Sequence, residues 1–147
     1  MDIANIREQL ASAASAVSLP NTSLTCTGFI PDGVNVPCFF IADYTIEYDK
    51  VMNRALDTIT FTGRVLVSRA DDMSGQSLLD GMMSGAGPSS LKNAIEAARG
   101  PAGNPALGGY AHDLRVTRVQ GLRLYEHAGT QYLGAELSID VIGDGRA

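Results

Sequence analysis

Residues 38–49 read Cys38-Phe39-Phe40-Ile41-Ala42-Asp43-Tyr44-Thr45-Ile46-Glu47-Tyr48-Asp49. Cys38, Phe40, Ala42, Tyr44, Ile46 and Tyr48 alternate with Phe39, Ile41, Asp43, Thr45, Glu47 and Asp49. Side chains of a strand point to opposite faces with period two. The stretch is therefore a strand with one buried face, carrying Phe40, Tyr44 and Ile46. Its other face turns acidic towards the C-terminal end. Residues 58–68 alternate again, with Ile59, Phe61, Val65 and Val67 set against Thr58, Thr60, Thr62 and Arg64. The connection between these strands, from Asp49 to Asp57, is longer than a tight hairpin turn.

Upstream, Ile3, Ile6, Leu10, Ala13, Ala14 and Val17 form a stripe of period 3.6, which predicts an amphipathic helix over 3–17. Asp2 can cap it, and Leu19-Pro20 ends it. Residues 24–30 read as a short strand. Downstream, Asp71 or Asp72 can cap a helix reaching to about 83, with Leu78, Leu79, Met82 and Met83 on one side. After Gly85-Ala86-Gly87-Pro88, Leu91, Ala94, Ile95 and Ala98 mark another helix, starting at Ser89 or Ser90. Residues 100–111 are rich in Gly and Pro and show no period, so they read as a flexible loop. Residues 113–125 and 130–142 are strands joined at His127-Ala128-Gly129 as a hairpin. On the second, Leu133, Ala135, Leu137, Ile139 and Val141 share a face. The order α-β-β-β-α-α-β-β predicts an α+β fold: a mostly antiparallel sheet with helices packed on one face.

The 147 residues suit a single domain spanning 1–147. The net charge of −5 and the absence of Trp argue against a nucleic-acid-binding surface, which needs phosphate-neutralising cations and stacking platforms. Residues 1–8 lack the basic and apolar regions of a signal peptide. No apolar run reaches the ~18 residues of a membrane span, so no membrane association is expected. Cys26 and Cys38 read as small buried side chains, with their pairing left open by the sequence.

Catalytic motifs are missing. The Gly-rich stretch 81–90 has no phosphate-loop Lys-Ser/Thr, and no Gly-x-Ser-x-Gly elbow occurs. His112 and His127 stand at opposite ends of one strand, roughly 45 Å apart. Asp43, Glu47 and Asp49 share a strand face, but at ~7 to ~13 Å spacing they are too sparse for one cation without help from other segments. A solvated or interface face is the simpler reading. The expectation is a protein without enzymatic activity, cofactor or metal.

Several stretches together carry a resemblance. They are Tyr48-Asp49-Lys50-Val51-Met52-Asn53-Arg54-Ala55-Leu56-Asp57-Thr58-Ile59-Thr60-Phe61, Leu78-Leu79-Asp80, and Gly87-Pro88-Ser89-Ser90-Leu91-Lys92-Asn93-Ala94-Ile95-Glu96. Asp113-Leu114-Arg115-Val116-Thr117-Arg118 follows, then Gly121, Tyr125 and Tyr132-Leu133-Gly134-Ala135-Glu136. In order and spacing, across about residues 2–142, the chain resembles the tail terminators and related tail-completion proteins of long-tailed phages that infect actinobacteria. The resemblance implies a small α+β virion protein, assembled in the host cytoplasm, that forms a homo-hexameric ring at the head–tail junction. Such a ring caps the tail tube, ends its polymerisation and offers a docking face to the head–tail connector, or stopper. Its partners are then other copies of itself, the tail tube protein and the stopper, with DNA only as passing cargo. An acidic subunit suits a channel that must not hold DNA.

On that implication Asp43, Glu47 and Asp49 are candidates to face the channel or an interface. Lys50, Met52 and Arg54 in the 49–57 connection, and Pro101, Asn104 and Pro105 in the 100–111 loop, are candidates for contacts between subunits. Both segments are expected to touch neighbouring chains rather than their own core. Two alternatives stay open: another connector or minor tail protein, and a small-ligand-binding α+β domain.

Overall fold

A computed structural model describes residues 3–19, 23–33, 36–48, 56–69, 75–99 and 106–144. The described residues form strands β1 (Thr25–Thr27), β2 (Cys38–Glu47), β3 (Leu56–Arg69), β4 (Asp113–His127) and β5 (Thr130–Asp144). The helices are α1 (Ile3–Ala14), α2 (Gly75–Met83) and α3 (Leu91–Glu96). The strands make one sheet in the order β1-β2-β3-β5-β4. β1 runs parallel to β2, and every other pair is antiparallel. The fold is α+β in the expected element order.

The helices cover one face. Ile6, Leu10 and Ala14 recur on one side of α1, fully buried, and pack against β1 and β2. Leu79 and Met82 of α2 lie over the sheet centre, and Leu91 and Ile95 of α3 lie by β4. Beneath them the sheet contributes Phe39, Ile59, Phe61, Val65, Leu137 and Ile139. Burying each such side chain stabilises the fold by about 1.5–3 kcal/mol. Ser90 caps α3: its Oγ accepts from the Asn93 N–H at 3.2 Å, a contact worth about 0.5–2 kcal/mol. Glu96, one turn on, accepts from Lys92 at 2.6 Å and from the Val116 N–H at 3.1 Å, which fastens α3 to β4.

The strict alternation expected for 38–49 is broken. Ile41 pairs with Gly63 and Asp43 with Thr62, so Ala42 is an extra residue, a β-bulge. Before it, Phe39 and Ile41 face the helices; after it, Ile46 does, and the Tyr44 ring stands 5.9 Å from Phe61. Phe40 therefore does not share a face with Tyr44 and Ile46. It points away from the helices, into a small second cluster with Cys38 and Leu66. One inserted residue exchanges the faces of everything beyond it.

Other expectations shift at their ends. α1 stops at Ala14 rather than 17, and the first strand is only Thr25–Thr27. Past it, Gly28 lies so close to α1 that a Cβ would stand 2.8 Å from the Arg7 carbonyl carbon, so the chain bends away. The proposed Asp71 or Asp72 cap lies outside the described residues. The hairpin turn is Ala128-Gly129, with φ of 52° and 83°, the left-handed pair that a two-residue hairpin needs. His127 is the last residue of β4 rather than part of the turn.

Residues 106–111 overturn the idea that the 100–111 loop avoids its own core. Ala106, Leu107 and Ala111 are buried in the main cluster, and Ala106 and Ala111 exchange backbone hydrogen bonds of 2.8 and 3.3 Å. Residues 100–105 lie outside the described residues.

Candidate functional site

With the helices on one side, the other face of β2-β3-β5-β4 carries no helical layer among the described residues. Reading the strand registers across it gives successive rows. The first is Glu47, Thr58, Ile142 and Asp113; the next is Thr45, Thr60, Asp140 and Arg115. Asp43, Thr62, Ser138 and Arg118 follow, then Phe40, Arg64, Glu136 and Gln120. The face is polar because β3 places Thr58, Thr60, Thr62 and Arg64 on the side opposite Ile59, Phe61 and Val65.

Its polar groups bind one another. Thr60 Oγ1 donates to Asp140 at 2.9 Å. Arg64 grips Glu136 Oε2 through Nη2 at 2.9 Å and Nε at 3.2 Å, with its guanidinium over the Tyr125 ring. Tyr125 fits there because position 134 is glycine: a Cβ would stand 3.1 Å from its ring and 2.2 Å from the Val65 oxygen. At the opposite end a cleft of about 500 Å³ is lined by Glu47, Thr58, Thr60, Asp113, Arg115 and Asp140, among others. Arg99 holds the Asp113 carboxylate at its rim, at 2.6 and 3.2 Å. Partial desolvation pushes the Asp113 carboxyl up, but Arg99, the Leu114 N–H and the Arg115 charge outweigh it. The carboxyl lies below its ordinary value.

Asp43 and Glu47 are both exposed, on this uncovered face, as the sequence suggests. Asp43 accepts from the Tyr44 N–H at 2.8 Å. Asp49, Lys50, Met52, Arg54, Pro101, Asn104 and Pro105 lie outside the described residues. The Arg64–Glu136–Tyr125 group and the Arg99–Asp113 pair were not singled out from sequence. The alternation of β5 could have flagged Glu136 and Asp140 as facing away from Leu137 and Ile139.

Among the described residues no group of three His, Cys, Asp or Glu side chains could hold a metal ion. His112 is exposed, and His127 Nε2 lies 2.6 Å from the Pro31 oxygen. Cys26 and Cys38 are both free. They lie on adjacent strands but belong to the clusters on opposite faces of the sheet. No described helix is long and apolar enough to cross a membrane.

No known protein family's model matches this chain, and no curated protein matches it either.

Proposed function

We propose that this chain is a structural virion protein of a long-tailed phage. Six copies form a ring on the head-proximal end of the tail tube. The ring ends tube polymerisation and gives the head–tail connector its docking surface. No catalysis is involved, and DNA passes through without being held.

The observation that carries this reading is the one-sided fold. Among the described residues all the helical cover lies on one face, and on the opposite face, beyond the buried Phe40 cluster, Asp43, Glu47, Arg115 and Arg118 are exposed to neighbours. A subunit that meets copies of itself laterally, a tube on one side and a connector on the other, needs such uncommitted surface. The ordered resemblance across about residues 2–142 supplies the specific role. A stopper, adaptor or minor tail protein would use the same surfaces, and position in the virion separates these readings. An image of the neck with this subunit labelled should place it as a ring directly on the last tube ring. A label on the head side of that ring makes the chain a stopper or adaptor instead.

The cleft at Glu47, Thr58 and Asp140 favours a second reading, a domain that binds a small polar ligand. Carboxylates, hydroxyls and Arg115 converge there, as polar groups do in ligand pockets. Retention of a small molecule through purification, seen by mass spectrometry of the denatured protein, would support it.

A further inference from the structure

Two stretches of sheet edge carry no neighbouring strand among the described residues. β1 pairs with Cys38–Phe40, so among the described residues Ile41–Glu47 of β2 is an open edge. β4 is the outermost strand on the other side. Its first part is already used: the Val116 N–H goes to Glu96, and Asp113 is held by Arg99. Further along, α2 also touches β4 and His127 Nε2 reaches the Pro31 oxygen, while Arg118, Arg123 and Leu124 stay exposed. Open edges are templates for pairing with another chain.

The two edges match. β2, β3, β5 and β4 alternate in direction, so β4 runs antiparallel to β2. A second copy placed beside the first in the same orientation therefore brings its β4 antiparallel to this β2, and the up–down pattern continues across the boundary. Charge also matches. On the uncovered face the β2 edge carries Asp43 and Glu47, and the β4 edge carries Arg118 and Arg123, all exposed. Asp43 and Glu47 are four positions apart. Arg118 and Arg123 pair with Ser138 and Gly134 because β4 is bulged between them, so they too are four strand positions apart. Both spacings are ~13 Å. One antiparallel register then sets Glu47 against Arg118, Thr45 against Gln120 and Asp43 against Arg123. On the helix side of the same edges, Tyr44 and Leu124 are exposed apolar side chains, at 41% and 59%.

We infer that the Ile41–Glu47 edge of one subunit docks on the β4 edge of a second copy of this chain, with Glu47–Arg118 and Asp43–Arg123 as cross-subunit ion pairs. The contact is heterologous, so it closes into a ring or grows as a filament according to the rotation between copies. This inference deepens the ring reading, on which it rests for the identity of the partner.

The test is sedimentation of the full chain and two charge-reversed variants, Asp43→Arg/Glu47→Arg and Arg118→Glu/Arg123→Glu. The native chain should self-associate more strongly at low salt, since interface charge pairs are screened. Each variant alone should associate at least about tenfold more weakly. Mixed together they should associate again, because each supplies the edge charge the other lacks. Unchanged unfolding midpoints show that the variants are folded. If the variants associate as the native chain does, or the mixture does not recover, the contact lies elsewhere and this inference fails while the ring reading stands. A native chain that stays monomeric at every salt concentration also overturns this edge contact. The ring reading is then judged separately on intact tails.

Discussion

The guanidinium carbon of Arg64 stands 4.6 Å from the centroid of the Tyr125 ring. The two residues are on strands that do not touch; β5 runs between them. The same guanidinium holds Glu136 of that intervening strand, so one side chain ties three strands on the face without helices. Tyr125 Oη is buried and finds no hydrogen-bond partner among the described residues. Burial first, and the nearby Glu136 charge second, raise its pKa.

Replacing Arg64 with Met should cost about 1.5–3 kcal/mol in urea unfolding, since a part-buried carboxylate loses its charged partner. Tyr125→Phe should be neutral within about 0.5 kcal/mol or slightly stabilising, because it removes a buried hydroxyl that finds no hydrogen-bond partner among the described residues. A large loss from Tyr125→Phe would mean that the hydroxyl does bond Glu136.

Ile95→Ala should cost about 2–5 kcal/mol. Ile95 is fully buried where α3 meets the core. Leu124→Ala, at a side chain 59% exposed, should change monomer stability by no more than about 0.5 kcal/mol. Unfolding midpoints for the pair check the depth of α3 in the core.

Stability should fall in acid through Glu96 and Asp113. Desolvation raises each carboxyl, but Lys92 and the Val116 N–H for Glu96, and Arg99 and the Leu114 N–H for Asp113, lower them further. Both carboxyls titrate below their ordinary values of 4.5 and 3.8. Their contribution is thus present above those values and lost as pH falls through the folded ones. Both pairs are near the surface, so each is worth about 0–1 kcal/mol. Glu96→Gln/Asp113→Asn should flatten the decline in unfolding free energy below pH 4.5.

Neither thiol should react at neutral pH while the protein is folded. Burial, then proximity to Cys38, pushes Cys26 up to about 12. Burial, partly offset by a backbone hydrogen bond at Leu66, pushes Cys38 up to about 11. The thiolate is the reactive form. Alkylation should label both only after unfolding; fast labelling of the native protein contradicts the burial described.

Local pattern made much of the fold readable. Leu133 to Val141 keep one parity throughout β5, and Leu91, Ala94, Ile95 and Ala98 mark a helix face unaided. The bulge at Ala42 was hidden because Phe39, Phe40, Ile41 and Ala42 are apolar on both parities, so no polar residue registers the slip. The docking of Ala106–Ala111 was hidden because Gly and Pro report turns, not what a turn packs against. The site depends on strand order. Arg64 and Glu136 are far apart in the chain and meet only because β5 inserts between β3 and β4. Asp43 and Glu47 were legible as one face, but the basic edge that complements them appears only once the β4 bulge between Arg118 and Arg123 is known.

The capping role is tested most directly by electron microscopy of lysates from phage lacking this gene. An uncapped tube keeps an open heterologous interface and continues to grow. The account predicts filled heads beside unattached tails of excessive length. Unattached tails of normal length, already closed by a complete cap, would contradict it and move the protein to the head side of the junction.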